Sequence, residues 1–197
     1  MRGADPVMAR LVDHFGPCDV KPKRGSPFAA LVRSIQYQQL AGPAAAAIHL
    51  RLLALFDGAG VTPEAVLALG EDRLRTAGLS RAKAASVYDL AHRVAGGELV
   101  LNGIGRVGDD EVVRRLTTVR GIGEWTAHMF LIFQLGRLDV WPVGDYGVRK
   151  GYALAYKREL PTPRELLVLG ERYRPYRTLA AWYCWRAVDG SAAPPGW

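Results

Sequence analysis

Two short stretches carry residues whose types and spacing can do chemistry. The first is LTTVRGIGEWTAHMF, residues 116–130, in which a Gly-Ile-Gly tripeptide leads at once into a helix-forming run. Gly121 and Gly123 let the backbone take positive φ values and leave a surface with no side chain over it. The first turn of the following helix adds N–H groups that lack an intrahelical partner. That combination suits a phosphate oxygen. It also suits a plain turn between two helices, and Gly-x-Gly alone does not choose. The second stretch is DVWPVGDYGVRKG, residues 139–151, where Asp145 stands at a helix start. A carboxylate there caps the helix, and the positive end of the helix dipole favours its ionised form. Asp139, the other acid of the stretch, suits a helix-to-loop connection or a pairing with a basic neighbour.

The elements that must position these residues read as helices. Pro6 to Phe15 carries Val7, Leu11, Val12 and Phe15 on one face, and Ser26-Pro27 opens FAALVRSIQY with a cap followed by proline at the first helical position. Gly42-Pro43 starts AAAAIHLRLLALF, Thr62-Pro63-Glu64 starts another run, and Ser80 leads RAKAASVYDLAHRV. Asp109-Asp110 precede EVVRRL, and later runs span 124–134, 145–156, 163–173 and 176–188. No pair of alternating strands joined by a hairpin turn competes. The expected fold class is all-α. The segment ELVLNGIGRVG lacks the helical flanks of the later Gly-Ile-Gly and reads as a loop, and the tail SAAPPGW reads as frayed.

Composition bounds the function. Lys and Arg number 26 against 19 Asp and Glu, a formal charge of +7 that attracts a polyanion and speeds its association. The two cysteines, Cys18 and Cys184, lie far apart with no Cys or His at ligand spacing. A four-cysteine iron–sulfur cluster is excluded and a structural zinc site disfavoured. The N-terminus has no apolar core of signal-peptide length, and no window reaches the roughly 18 apolar residues of a membrane span. A cytoplasmic location with no membrane partner is expected.

Five segments in order, SIQYQQL, LRTAGLSRAKAASVYDLA, LTTVRGIGEWTA, DVWPVGDYGVRKGYALAY and YRPYRTLAAWYCWR, resemble the helix-hairpin-helix DNA glycosylases, and among them the 3-methyladenine DNA glycosylase II type. The likeness runs from about residue 5 to residue 188 and lacks the β-rich N-terminal domain of longer members, which implies the compact form. It implies two helical lobes, residues 1–33 with 136–197 and residues 34–135, and a DNA-binding cleft between them. The implied partner is damaged double-stranded DNA, bound by a monomer.

The resemblance also assigns roles. Asp145 matches the catalytic aspartate, an anion of the kind that an oxocarbenium-like sugar needs beside it as the glycosidic bond breaks. An N3- or N7-alkylated purine already carries positive charge and can leave without a general acid, so one carboxylate suffices where sugar hydrolases ordinarily use two. Trp125 stands where lyase relatives resembling endonuclease III carry a lysine, and an indole forms no Schiff base. Trp125 and Trp185 are the base-pocket candidates through cation–π contact. Met129 joins them, in a place where related chains often carry an aromatic ring, and implies a wider pocket. Leu40 matches the intercalating wedge, with Gln39 beside it holding the disrupted pair. Gly121, Ile122, Gly123 and Thr126 make the phosphate-binding hairpin. No cofactor is required and no metal ligands are assigned, while a monovalent cation at the hairpin is left open. The rival reading is a non-catalytic helix-hairpin-helix DNA-binding module. Such a module gains nothing from an acid facing phosphates.

Overall fold

The structure, a computed structural model, describes residues 5–23, 25–40 and 42–189, so the tail SAAPPGW lies outside the described residues. Among these residues the regular structure is helical throughout. Helices α1 (Pro6–Phe15), α2 (Pro27–Tyr37), α4 (Pro63–Thr76) and α9 (Pro163–Gly170) begin on proline behind an Asp, Ser or Thr cap. Proline supplies the φ that a helix start needs, and its missing N–H is one that would go unpaired anyway. Ser80 caps α5 (Arg81–Ala95), and three acidic residues open α6 (Asp109–Leu116). The others are α3 (Gly42–Ala54), α7 (Glu124–Phe133), α8 (Tyr146–Tyr156) and α10 (Arg177–Asp189).

Three details depart from the sequence reading. Helix α4 is broken at Gly70, whose φ of 74° is not helical. The run expected over 163–173 is α9 followed by a 3-10 turn, Glu171–Tyr173. The loop expected near Gly103 contains a 3-10 turn, Ile104–Arg106, that buries Ile104.

The described residues divide into two compact units, one of residues 5–23 with 131–189 and one of residues 25–40 with 42–130. The division falls near residues 24 and 130 rather than at the expected 33 and 136, the first because α2 packs on α3 and α5 and so belongs with the inner segment. In that inner unit the core gathers Leu31, Ile35, Leu52, Leu74, Leu90 and Leu116. In the other unit α8 packs on α10, and α1 packs on both. Its N-terminal helix is tied down by one buried carboxylate: Asp5 Oδ1 accepts from the Val7 and Met8 amides, and Oδ2 accepts from the Tyr156 hydroxyl at 2.7 Å and from Arg172 at 3.2 Å. No helix among the described residues is long and apolar enough to cross a membrane.

Candidate active site

Asp145 is placed by its own turn and by the helices packed on it. Upstream, the Trp141 indole is buried and donates to the Leu166 carbonyl at 2.8 Å, fitting against Gly170, where any Cβ would overlap the ring. The Asp145 amide then donates to the Pro142 carbonyl at 2.9 Å, closing a turn that presents the side chain at the start of α8. Its Oδ1 accepts from the Val148 amide at 2.8 Å, the capping bond expected of an aspartate there. The same oxygen accepts from Trp185 Nε1 at 2.9 Å, although the residue is only 7% exposed.

The second bond depends on how closely α8 and α10 approach. A Cβ at Gly151 would overlap the Cys184 carbonyl, and one at Gly147 would stand 2.9 Å from Trp185 Cδ1 and 3.1 Å from Asp145 Oδ1. With hydrogen at both positions the two backbones meet, and the residue after Cys184 reaches the carboxylate. Trp185 also stacks on Phe133, ring centres 5.9 Å apart and planes 26° from parallel. The sequence suggested Trp185 as a wall for a cationic base. The structure adds a second task, donation of its N–H to the anion. Burial, with a smaller effect of the Asp145 charge, pushes the Cys184 thiol up, so it stays protonated and offers no competing nucleophile.

Asp139 is committed elsewhere. Arg177 Nε reaches its Oδ1 at 2.8 Å and Arg174 Nη1 reaches Oδ2 at 2.9 Å. Burial opposes its ionisation, but the hydrogen bonds from Arg177 and the charges of Arg177 and Arg174 outweigh it and hold the carboxyl below its ordinary range. It joins the 139 loop to the start of α10.

In the other unit the hairpin between α6 and α7 gives its two glycines different tasks. Only Gly121 has a positive φ, 76°, and an added Cβ there would collide with Ser86 Oγ. Gly123 has an ordinary φ and is exposed, and an added Cβ would meet nothing within 4 Å. The expectation that both glycines supply positive φ is therefore corrected: Gly121 makes the turn and Gly123 keeps the approach bare. Ile122 is buried beneath, with its amide on the Val119 carbonyl at 3.1 Å, and the Arg120 amide donates to Asp89 Oδ2 at 2.8 Å. Thr126, expected to face phosphate, is 3% exposed, and its hydroxyl accepts from Gln38 Nε2 at 3.2 Å. Trp125 is half-buried in the first turn of α7. Met129, expected to line a wide pocket, is wholly buried one turn later.

The wedge candidates sit on the turn between α2 and α3. Gln39 is exposed and takes a left-handed φ of 56°, and Leu40 is half-buried. Asp145 and Trp185 are thus brought together in one unit. Gln39 and Leu40 share the other with the hairpin, to which Gln38 links their turn. Sequence reasoning missed Gln38, Lys83, which binds the turn's carbonyls, and the donor role of Trp185. Their partners lie 83, 45 and 40 residues away, with no local signal to show them.

Known proteins similar to this chain share a family. The chain is 34% identical to DNA-3-methyladenine glycosylase 1 of Schizosaccharomyces pombe, over 94% of this chain and 84% of that one. The solved structure of the Schizosaccharomyces pombe 3-methyladenine DNA glycosylase in complex with abasic DNA superposes with a TM-score of 0.82, covering 94% of this chain and 92% of that one at 34% identity. A DNA-3-methyladenine glycosidase from Bacillus halodurans superposes at 0.84, also 34% identical, covering 95% and 87%. Residues 32–172, which run from α2 through the hairpin and Asp145 to the 3-10 turn after α9, match the family described as the HhH-GPD superfamily base excision DNA repair protein, and the chain belongs to that family.

Proposed function

We propose that the chain is a monofunctional DNA glycosylase that hydrolyses the N-glycosidic bond of alkylated bases, 3-methyladenine and 7-methylguanine among them, in duplex DNA and so begins base excision repair. The observation that carries this reading is the buried carboxylate of Asp145, fixed by two N–H donors in a chain 34% identical to a protein named for this activity. The damaged nucleotide leaves the stack at a cost of a few kcal/mol, and Leu40 fills the gap while Gln39 holds the disrupted pair. As the C1′–N bond breaks, its electron pair goes to the ring nitrogen and neutralises the cationic base. Positive charge passes to the sugar, where Asp145 opposes it in a site of low dielectric. Water adds to C1′ and gives up one proton, leaving a free base and an abasic sugar.

Trp125 in the place of a lyase lysine supports the absence of strand cleavage, since no amine stands there to attack the sugar. The basic surplus and the open, exposed approach at Gly123 support backbone binding that is independent of sequence. Incubation with a methylated duplex tests the reading. Free methylated base should appear with abasic sites that break only after alkali, and borohydride should trap no protein–DNA adduct. Asp145→Asn should abolish release and leave DNA binding unchanged or slightly tighter. Retained turnover in that variant would remove Asp145 from the chemistry.

A further inference from the structure

The turn that carries Gln38, Gln39 and Leu40 between α2 and α3 is short, and it is held from several sides. Inside α2, the buried Gln36 side chain donates to the Ala45 carbonyl at 2.6 Å and meets His49 Nδ1 at 2.8 Å, fastening α2 to α3. From α5, Lys83 Nζ donates to the Gln36 carbonyl at 2.8 Å and the Gln38 carbonyl at 2.5 Å, capping the last turn of α2 with a cation. From the turn itself, Gln38 Nε2 donates to the Gly121 carbonyl at 3.0 Å and to Thr126 Oγ1 at 3.2 Å. Between these supports Gln39 is kept in a left-handed conformation that a side chain disfavours by about 1–2 kcal/mol. A non-glycine residue persists there only where its surroundings over-determine it.

On the glycosylase reading, the hairpin grips a phosphate and the turn inserts Leu40 into the base stack. The two actions serve one reaction only if the distance between them is fixed. We propose that Gln38 is a positioning residue, a brace between the phosphate-gripping hairpin and the intercalating turn, with Lys83 as the second support of that turn. The amide of Gln38 engages the hairpin on the very residue, Gly121, that shapes it, so a hairpin seated on a phosphate sets where along the strand Leu40 enters. A misplaced wedge penalises only a base that must be flipped from a paired stack. A base in a single strand has no partner to leave and no gap to be filled. The brace is therefore a device for duplex DNA, separate from the carboxylate chemistry and from backbone affinity.

The test is single-turnover release of 7-methylguanine from a duplex and from the same strand without its complement, measured with wild type and Gln38→Met. Met keeps the length of the side chain and removes its donor. The exposed Gly121 carbonyl then passes to water, so little stability is lost. The duplex rate should fall about 5- to 100-fold, the single-strand rate less than about threefold, and affinity for undamaged duplex should hold. Combining Gln38→Met with Leu40→Ala should cost no more than Leu40→Ala alone, because the brace acts through the wedge. Thr126→Val removes one of Gln38's two partners while keeping the turn, and should give a smaller loss of the same kind. It carries the test if Gln38→Met fails to fold. Equal losses on the two substrates, or additive losses in the double variant, would overturn the brace. A Leu40→Ala variant with no duplex-specific loss would overturn the wedge assignment and the brace with it, while a wild type that releases no base would overturn the glycosylase reading itself.

Discussion

Replacing Trp185 with Phe separates two tasks that one indole can hold. The ring can attract a cationic base through its face, and the N–H donates to Asp145 Oδ1 at 2.9 Å. Phenylalanine keeps a ring against Phe133 and removes the donor, so Oδ1 keeps the Val148 amide but loses the indole N–H. A hydrogen bond to a charged group contributes about 1.5–3 kcal/mol, which converts to a rate loss of roughly 12- to 160-fold. That range is a ceiling. The bond exists before the reaction as well as during it, and only the part spent on fixing the direction of the carboxylate appears in the rate. The assay is single-turnover release of a cationic base and of a neutral purine lesion, with DNA affinity and melting temperature measured beside it. The stability loss should stay below the 3–5 kcal/mol typical of removing a buried Trp side chain altogether, roughly as the smaller cavity implies. If Trp185 acts through Asp145, both bases lose rate by the same factor, because the sugar charge opposed by the carboxylate is common to both. A cation–π wall would instead spare the neutral base, and the cationic one would lose only part of the roughly 0.5–2 kcal/mol of that contact, since phenylalanine keeps a ring face. Wild-type rates in a folded variant, or a loss confined to the cationic base, would refute the orienting role.

Four further variants have outcomes that follow from the geometry. Gly123→Val should leave the melting temperature nearly unchanged, since an added Cβ meets nothing within 4 Å, yet it should weaken binding to damaged and undamaged duplex alike by about 10- to 150-fold for one lost contact to a charged phosphate; Gly121→Ala should instead lower the melting temperature, because its φ is positive and Ser86 occupies the space. Asp139→Asn should leave base release intact and destabilise the fold at neutral pH. The folded carboxyl is held below its ordinary range, so its contribution is full above the unfolded value of about 3.9 and is lost as pH falls through the folded one, and acid unfolding curves of wild type and variant should converge below about pH 4. Trp125→Ala should reduce excision of cationic lesions more than neutral ones, by roughly 2- to 30-fold; equal losses in a well-folded variant would leave Trp125 as packing alone.

What the sequence disclosed and what it withheld divide by the range of the signal. Helix starts are local, because a cap and a proline act within one turn, and Pro6, Pro27, Pro63 and Pro163 mark four of them in the chain itself. The role of Asp145 as a cap is local for the same reason. The demand for glycine at position 170 is of longer range: its missing Cβ makes room for Trp141, 29 positions earlier, and nothing within one turn reveals that. The site's supports are all of this second kind. Trp185 reaches Asp145 only because Gly151 lets α8 touch the backbone of α10, and a glycine inside a helical run reads locally as a weakness rather than as a contact. Lys83 was counted with the basic surplus that attracts DNA, whereas its ammonium points at two backbone carbonyls and burial pulls its pKa down. The distinction bears on function. Removing a surface lysine should weaken affinity for any duplex and flatten its salt dependence, while Lys83→Met should leave the salt dependence as it was and slow only the excision that needs a correctly placed wedge. A steeper loss of nonspecific affinity than of duplex excision would return Lys83 to the phosphate-binding surface.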